Sequence, residues 1–348
     1  MSNDYSIITI RNDDAAGMAR VEALLAEEGI RRDPNLDHTC AIADPDGNFI
    51  ATGSCFLNTL RCFAVDSTHR GEGLLADLLL LLIDVQFKRG NTRLFLYTKP
   101  DAAVLFSSLG FYEIARVGNT LVFMENRRNG FSDYLKSLEK SKSQDSSAAI
   151  VMNANPFTLG HQHLVENASK KYDHVHVFVL SEDSSVFPFE IRKKLVQLGC
   201  AHLPNVLIHE SGPYIISNAT FPSYFIKDED SVISTQVLLD IAIFRRIAGH
   251  LNITARFVGE EPNSHVTSLY NELLSSELPK CGIECRIIPR KKAGDRPISA
   301  SDVRLCLQND DFLPLRSLVP DSTYSYLTSE AAIPVIAKIK ASGSVIHY

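Results

Sequence analysis

The hydrophobic pattern of the N-terminal part of the chain predicts a mixture of helices and strands. Apolar residues recur at helical spacing in some segments and form short runs in others, with glycine, proline and charged residues between them. The predicted helices are Ala15–Glu28, Leu74–Arg89 and Ala102–Leu109. The predicted strands are Thr39–Ala43, Phe49–Phe56, Leu60–Val65, Arg93–Tyr97 and Thr120–Met124. This succession predicts an α+β domain.

The C-terminal part shows a different pattern, in which short apolar runs alternate with longer amphipathic segments. The predicted strands are Ala149–Ala154, Val175–Leu180, Val206–His209, Ala255–Val258 and Cys285–Ile288. The predicted helices are Gly160–Lys171, Pro188–Cys200, Thr235–Ala248, His265–Leu274 and Ser301–Gln308. Such alternation predicts a Rossmann-like α/β domain with a parallel sheet covered by helices. Ligands of these sheets bind beyond the carboxyl ends of the strands.

A polar stretch separates the two patterns. Residues 126–147 are rich in serine, lysine and arginine, apart from a short helical stretch at Tyr134–Leu138. We therefore predict a domain over residues 1–125, a polar linker over 126–147 and a second domain over 148–348.

Composition narrows the possible partners. The 348 residues carry a formal net charge of -6 with no long basic block, which argues against nucleic acid and anionic membranes as partners. The most apolar run, Leu74–Val85, is too short to span a bilayer, and the first residues lack the apolar core of a signal peptide. The seven cysteines are scattered without the spacing of a metal site. These features predict a cytoplasmic protein without a protein-held metal.

Residues 155–161, Asn-Pro-Phe-Thr-Leu-Gly-His, lie where a predicted strand gives way to a helix. Gly160 allows close backbone approach, and the free N–H groups at a helix start attract anions. Thr158 and His161 would supply side-chain donors, and Asn155 opens the turn. This arrangement indicates a phosphate site, although Thr158 could also serve only as a helix cap.

A second segment, residues 298–304, has a similar character. Ser299 or Ser301 begins a helix, and Arg304 lies one turn inside it. Ser299 and Asp302 also fit a capping box, which is the structural alternative. Capping does not explain the nearby cations, which include Lys291 and Lys292. The segment therefore indicates a second cationic helix start.

Three smaller features complete the candidate sites. Gly259 and Glu260 end a predicted strand, where the glycine would permit approach of a ring or ribose, or would form an ordinary turn. Acidic residues Glu182 and Asp183 follow another strand and would order the basic residues or a magnesium shell, or cap the next helix. The role of Arg192 is open at this stage.

Arg70, Gly71 and Gly73 form a glycine-rich turn that opens an apolar helix. This turn resembles the coenzyme A pyrophosphate loop of the GCN5-related N-acetyltransferases, and the resemblance extends over residues 5–125. Leu75 departs from the small residue usual at the end of that loop. The resemblance implies an acetyltransferase-like fold. No residue stands out as a general base for acetylating an amine.

Residues 155–161 and 298–304 resemble the two phosphate-binding segments of the Thr/His-x-Gly-His nucleotidyltransferases. Nearly the whole chain, from about residue 5 to 330, resembles the citrate lyase ligases. The matching segments are 70–74, 150–161, 182–188, 214–217, 219–227, 244–245, 256–259 and 298–301.

The resemblance to the citrate lyase ligases implies a cytoplasmic enzyme that activates acetate with ATP and Mg²⁺, releasing pyrophosphate. The acetyl group then passes to the thiol of the dephospho-coenzyme A-derived prosthetic group on the acyl-carrier subunit of citrate lyase. Thr158 and His161 would contact the α- and β-phosphates, and Ser299, Ser301 and Arg304 the β- and γ-phosphates. Lys291 or Lys292 would follow the leaving pyrophosphate.

Three alternatives remain open from the sequence. The C-terminal domain would be a nucleotidyltransferase acting on a phosphorylated acceptor, or the chain would be a coenzyme A and nucleotide sensor, or a protein acetyltransferase. The sequence does not give the oligomeric state, the acetate-binding residues or the surface on which the carrier docks.

Overall fold

The computed structural model describes residues 5–181, 185–215, 221, 222, 224, 226, 228–260 and 265–342. The chain divides into two compact units. The first comprises Met1–Gly130 and Pro222–Thr235, and the second comprises Phe131–Phe221 and Gln236–Tyr348. Residues 126–147 contain helix α4 (Gly130–Leu138), in which Phe131 and Leu138 are buried. Across the described residues, no helix has the length and apolar character needed to cross a membrane.

The first unit is built on a seven-stranded sheet in the order β1-β2-β3-β4-β5-β7-β6. Its strands are β1 (Ser6–Ile10), β2 (His38–Ala43), β3 (Phe49–Phe56), β4 (Thr59–Val65), β5 (Phe95–Thr98), β6 (Tyr112–Val117) and β7 (Leu121–Glu125). Its main helices are α1 (Ala15–Glu27), α2 (Leu74–Lys88) and α3 (Pro100–Ser108). Buried leucines of α2 and Phe106 of α3 form one core with the sheet, and Val21 and Leu25 of α1 belong to another. The α+β prediction is confirmed.

Strands β4 and β5 form the one parallel pair among the described pairings of this sheet. They pair only at Thr59 with Phe95 and at Leu60 with Leu96. Beyond Leu60 and Leu96 the two strands are no longer paired with each other, and this unpaired stretch is called the β4–β5 cleft.

The second unit contains a five-stranded sheet in the order β10-β9-β8-β11-β12, with every pair parallel. The strands are β8 (Ser147–Met152), β9 (His174–Val179), β10 (Val206–Glu210), β11 (Ile253–Gly259) and β12 (Glu284–Ile288). The helices between them are α5 (Leu159–Ser169), α6 (Phe189–Cys200), α7 (Glu229–Leu251) and α8 (His265–Glu277). The predicted Rossmann-like parallel sheet is confirmed. Because the strand order reverses between β8 and β11, the ligand crevice of such a sheet lies where these two strands end.

The chain after β12 completes the second unit. A two-stranded hairpin, β13 (Lys292–Ala293) and β14 (Arg296–Pro297), leads into α9 (Ala300–Gln308). Helices α10 (Leu315–Leu318), α11 (Asp321–Leu327) and α12 (Ile333–Ala341) follow. Val335 and Ile339 of α12 are buried in one cluster with Ile298 and Val303. The tail therefore supports the segment in which α9 begins.

Candidate active site

The turn between β8 and α5 is closed by a reciprocal cap. Thr158 has an extended backbone and its hydroxyl accepts the His161 backbone N–H at 3.3 Å. The Thr158 backbone N–H in turn donates to His161 Nδ1 at 3.0 Å. The capping interpretation of Thr158 is therefore confirmed, and the cap fixes the side chains of Thr158 and His161 at the helix start. The turn stands at the carboxyl end of β8, beside the crevice.

This cap also determines which ring nitrogen of His161 carries the proton. Because Nδ1 accepts a backbone N–H, the proton of the neutral imidazole lies on Nε2. Burial and, to a smaller extent, the positive charge of Arg290 lower the pKa of His161 to about 4. The imidazole is therefore neutral near pH 7 and presents an Nε2–H donor.

We expect an NMR titration of the free enzyme to show His161 as the Nε2–H tautomer with a pKa well below the ordinary value of about 6.5. The cause is burial beside Arg290 together with the bond from the Thr158 backbone. Imidazole ¹⁵N shifts measure both properties. An Nδ1–H tautomer, or protonation near pH 6.5, would contradict this assignment.

The second predicted segment lies directly against the first. Ser299 caps α9 by accepting the Asp302 backbone N–H at 3.0 Å. A Cβ atom placed on Gly160 would lie 3.4 Å from the Ile298 carbonyl oxygen and 3.4 Å from Thr158 Oγ1. The starts of α5 and α9 therefore lie against each other at Gly160. The structure brings together two capped helix starts that are far apart in sequence.

Arg304 links the two segments. Its side chain is 5% exposed, and its Nη1 donates to the Asn155 carbonyl oxygen at 2.6 Å. Its Nη2 donates to Ser301 Oγ at 3.0 Å. Asn155 is buried as well, and its side-chain oxygen accepts the Phe187 backbone N–H at 3.0 Å. Arg304 and Asn155 thereby hold the turn after β8 against α9.

Arg192, whose role the sequence left open, is fully buried and binds backbone carbonyls. Its Nε donates to the Phe187 carbonyl at 3.0 Å, and its Nη1 to the carbonyls of Asn153 and Leu180, each at 2.8 Å. These acceptors belong to the chain segments that follow β8 and β9. Arg192 therefore holds together the segments that follow β8 and β9, next to the turn that leads into α5.

Arg290 belongs to the basic residues that precede α9, and the sequence assigned it no role of its own. Its Nε donates to the Glu260 carbonyl at 2.8 Å and its Nη1 to the Ile298 carbonyl at 3.4 Å. It thus joins the end of β11 to the start of α9, and its charge acts on His161. In the sequence, its position among the basic residues of segment 290–296 is the feature that indicates a role near α9.

The two candidate lysines lie on the approach to the β13–β14 hairpin. The Lys291 carbonyl accepts the Ile298 N–H at 2.9 Å, and Lys292 begins β13. Lys292 is exposed and Lys291 is half-buried. Lys291 and Lys292 therefore lie close to the segment in which α9 begins.

Gly259 and Glu260 lie at the end of β11, across the crevice from β8. A Cβ atom on Gly259 would meet no heavy atom within 4 Å, so its α-carbon faces open space. The Gly259 carbonyl accepts the side-chain amide of Asn271 at 3.0 Å, which fixes the end of the strand. Glu260 is exposed.

The remaining predicted residues lie in the first unit. Gly71 and Gly73 have φ of 89° and 86°, in the left-handed region that glycine adopts without strain. Gly73 is the N-cap residue of α2 and provides no side-chain cap for the first turn, in which the Ala76 N–H donates to the Gly73 carbonyl at 2.9 Å. The exposed Arg70 guanidinium pairs with Glu28.

Several sequence features fall outside the described residues. These are Glu182, Asp183 and Ser184, residues 216–220, positions 223, 225 and 227, and Glu261–Ser264.

Comparison with known proteins supplies the family. The model of the citrate lyase ligase C-terminal domain matches residues 147–327. The chain is 39% identical over 292 residues to the [citrate [pro-3S]-lyase] ligase of Klebsiella pneumoniae, covering 82% of this chain and 85% of the relative. It is 37% identical over 325 residues to the Escherichia coli (strain K12) protein of the same name, covering 91% and 92%.

The chain belongs to the citrate lyase ligases. The family expected from the sequence is confirmed, and so is the expectation that the chain is an enzyme. Among solved structures, a GNAT-family acetyltransferase from Staphylococcus aureus is similar to the chain with a TM-score of 0.31 and 15% identity. It covers 35% of this chain and 97% of its own.

Proposed function

We propose that this chain activates acetate with ATP and then acetylates the thiol of the prosthetic group on the acyl-carrier subunit of citrate lyase. In the first step an acetate oxygen bonds to the α-phosphorus while the bond to the pyrophosphate oxygen breaks. In the second step the carrier thiolate attacks the acetyl carbonyl, and AMP leaves. The observation that carries this proposal is the pair of capped helix starts at the strand-order reversal, in a member of the citrate lyase ligases.

The triphosphate would lie along the two helix starts. The N-termini of α5 and α9 favour the negative charge of the phosphates. The neutral Nε2–H of His161 would donate a hydrogen bond to a phosphate oxygen. Thr158 and His161 would contact the α- and β-phosphates, whereas Ser299 and Ser301 would contact the β- and γ-phosphates. Because phosphoryl transfer demands little covalent chemistry from the protein, positioning and charge neutralisation should supply the catalysis.

Four cations near the two helix starts take different roles in this proposal. Arg304 is buried on the Asn155 carbonyl and Ser301, so we assign it mainly to joining the two phosphate segments. Arg290 lies between the end of β11 and α9 and adds positive charge next to His161. Lys291 and Lys292 remain the candidates for following the leaving pyrophosphate.

Acetate needs no general base, because its carboxyl group is ionised at neutral pH. The lowered pKa of His161 agrees with this requirement, since a neutral Nε2–H donates a hydrogen bond and does not accept a proton. The site is rich in donors and cations, which suits phosphate oxygens. We propose that Mg²⁺ enters bound to the triphosphate and water. Gly259 and Glu260 would border the ribose.

The direct test of this function is thioester formation on the purified acyl-carrier subunit. The enzyme should acetylate the thiol form of the carrier with ATP and acetate, and AMP should appear with each acetyl group. Acetylation from acetyl-coenzyme A without ATP would instead support the acetyltransferase alternative.

We further propose that the Arg70–Gly73 turn binds the pyrophosphate of the prosthetic arm. Its support is the uncapped start of α2 with Gly71 and Gly73 in the left-handed region, next to an exposed guanidinium. The pair between Arg70 and Glu28 would open when the phosphates bind.

Replacing Arg70 with alanine should weaken use of the carrier and spare acetate-dependent pyrophosphate exchange, because only the second step uses the arm. The carrier KM should rise by about tenfold, the factor for roughly 1.4 kcal/mol of lost phosphate contact. Arg116→Ala is the matched control, since Arg116 is an exposed arginine of the same unit that pairs with Glu113. Equal loss in both half-reactions of Arg70→Ala would contradict the assignment.

A further inference from the structure

A tyrosine from the second half of the sequence lies in the core of the first unit. Tyr224 belongs to the Pro222–Thr235 segment, which follows β10 in the chain but forms part of the first unit. Its side chain is 7% exposed and packs in the cluster that contains Val21, Leu25 and Cys62. The ring therefore fills the α1 face of the sheet at β4.

The hydroxyl of Tyr224 spans the β4–β5 cleft. It donates to the Tyr97 carbonyl of β5 at 3.2 Å and accepts the Cys62 backbone N–H of β4. Parallel pairing of β4 and β5 has already ended at Leu60 and Leu96. One side chain thus satisfies a donor and an acceptor that the sheet does not pair across the cleft.

The backbone of β4 is irregular at Cys62, where it meets the Tyr224 hydroxyl. The register between β3 and β4 shifts between Thr52 and Ser54, which places a bulge at Cys62 and Phe63. Cys62 has a φ of 53°, which is unusual for a residue other than glycine. Such conformations persist only where the surroundings enforce them, and they cluster at binding sites. The bulge turns the Cys62 N–H out of the β3 ladder and into the cleft.

Arg31 binds the segment that carries Tyr224 through two hydrogen bonds. The Arg31 backbone N–H donates to the Tyr224 carbonyl at 2.7 Å, and its guanidinium Nη2 donates to the Ile226 carbonyl at 2.6 Å. Ile226 is itself buried. The tyrosine is therefore held by its backbone as well as by its ring and hydroxyl.

The groups that Tyr224 occupies match the chemistry of an amide. An amide carbonyl would accept the Cys62 N–H, and an amide N–H would donate to the Tyr97 carbonyl. An extended ligand that carries amides, such as a pantetheine chain, could therefore bind in this cleft only by displacing the tyrosine hydroxyl.

We propose that the Tyr224 side chain occupies the β4–β5 cleft as a plug and thereby excludes amide-bearing chains from it. This inference stands without the proposed function. One consequence rests on that function: an arm whose pyrophosphate is held at Arg70–Gly73 would keep its thiol end outside the cleft and free to react.

Two variants test the plug, with coenzyme A as the probe. Tyr224→Phe keeps the ring but removes the bond to Cys62, so amide hydrogen exchange at Cys62 should accelerate by at least about tenfold. Tyr224→Ala also empties the ring's space, so calorimetry should show coenzyme A binding at least about tenfold tighter than to the wild-type chain. Tyr112→Phe, at an exposed tyrosine of the same unit, is the matched control and should change neither quantity.

Circular dichroism and the unfolding temperature establish that each variant is folded. If Tyr224→Ala does not fold, Tyr224→Phe decides the question by amide exchange at Cys62. Unchanged exchange at Cys62 in Tyr224→Phe, or unchanged or weaker coenzyme A binding to folded Tyr224→Ala, overturns the proposal. Neither readout depends on ATP or acetate, so failure of the plug is distinguishable from failure of the ligase function.

Discussion

The His161→Ala enzyme is expected to lose at least about a hundredfold in acetate-dependent exchange of pyrophosphate into ATP, the usual cost of one well-placed donor to a developing charge. The physical reason is the loss of the neutral Nε2–H at the start of α5. The substitution also removes the acceptor of the Thr158 N–H, which should cost roughly 1 kcal/mol of stability. Exchange should therefore be assayed well below the unfolding temperature of the variant.

His163→Ala is the control for this prediction. His163 lies on the same helix, where it contacts Asn167, and it has no part in the cap of α5. Exchange by this variant should remain within about twofold of the wild-type rate, since no phosphate contact is assigned to His163. If His161→Ala exchanged pyrophosphate at a near-normal rate, the assigned role of His161 would be wrong.

The second large effect is on stability. Arg192→Met should lower the free energy of unfolding by about 3 kcal/mol or more, because three backbone carbonyls lose a fully buried charged donor at once. The carbonyls of Phe187, Asn153 and Leu180 would be left without this donor. Methionine retains much of the volume, so the loss reports on the hydrogen bonds more than on a cavity. Urea unfolding followed by circular dichroism measures the change.

Lys193→Met is the matched control, one residue farther along α6. Lys193 pairs with Glu210 at 2.5 Å on a partly exposed surface, and such pairs contribute roughly 0–1 kcal/mol. An unfolding free energy of Arg192→Met as close to wild type as that of Lys193→Met would contradict the structural role assigned to Arg192.

The two capped helix starts could be predicted because their signals are local. Thr158 with His161, and Ser299 with Asp302, are capping pairs three residues apart, and each pair lies at the boundary of a clear hydrophobic pattern. The parallel sheet was predictable for the same reason, since its central strands β8, β9 and β11 are short, largely buried runs. A sheet of this kind also fixes the edge at which its ligands bind.

The roles of the arginines were not predictable, because they depend on contacts between distant parts of the chain. Arg304 reaches the Asn155 carbonyl, and Arg290 reaches the Glu260 carbonyl. No period or spacing in the sequence encodes such pairs. Tyr224 is the extreme case, since it follows β10 in the sequence, whereas its partners Cys62 and Tyr97 come from the N-terminal part of the chain.

The elements missed by the sequence had weak patterns. Strand β1 is exposed at four of its five positions, so it lacks the alternation of a half-buried strand. Strand β6 was missed beside its predicted neighbour β7. Helix α12 begins after Ala332 and carries a proline in its first turn, and its few buried residues give little periodicity.

Acetate-dependent exchange of labelled pyrophosphate into ATP, without any carrier present, tests the central claim most directly. The wild-type enzyme should exchange pyrophosphate only when acetate is added, because acetyl-adenylate formation is the reversible first step. Exchange that ignores acetate and requires a phosphorylated acceptor would contradict the account and support a nucleotidyltransferase.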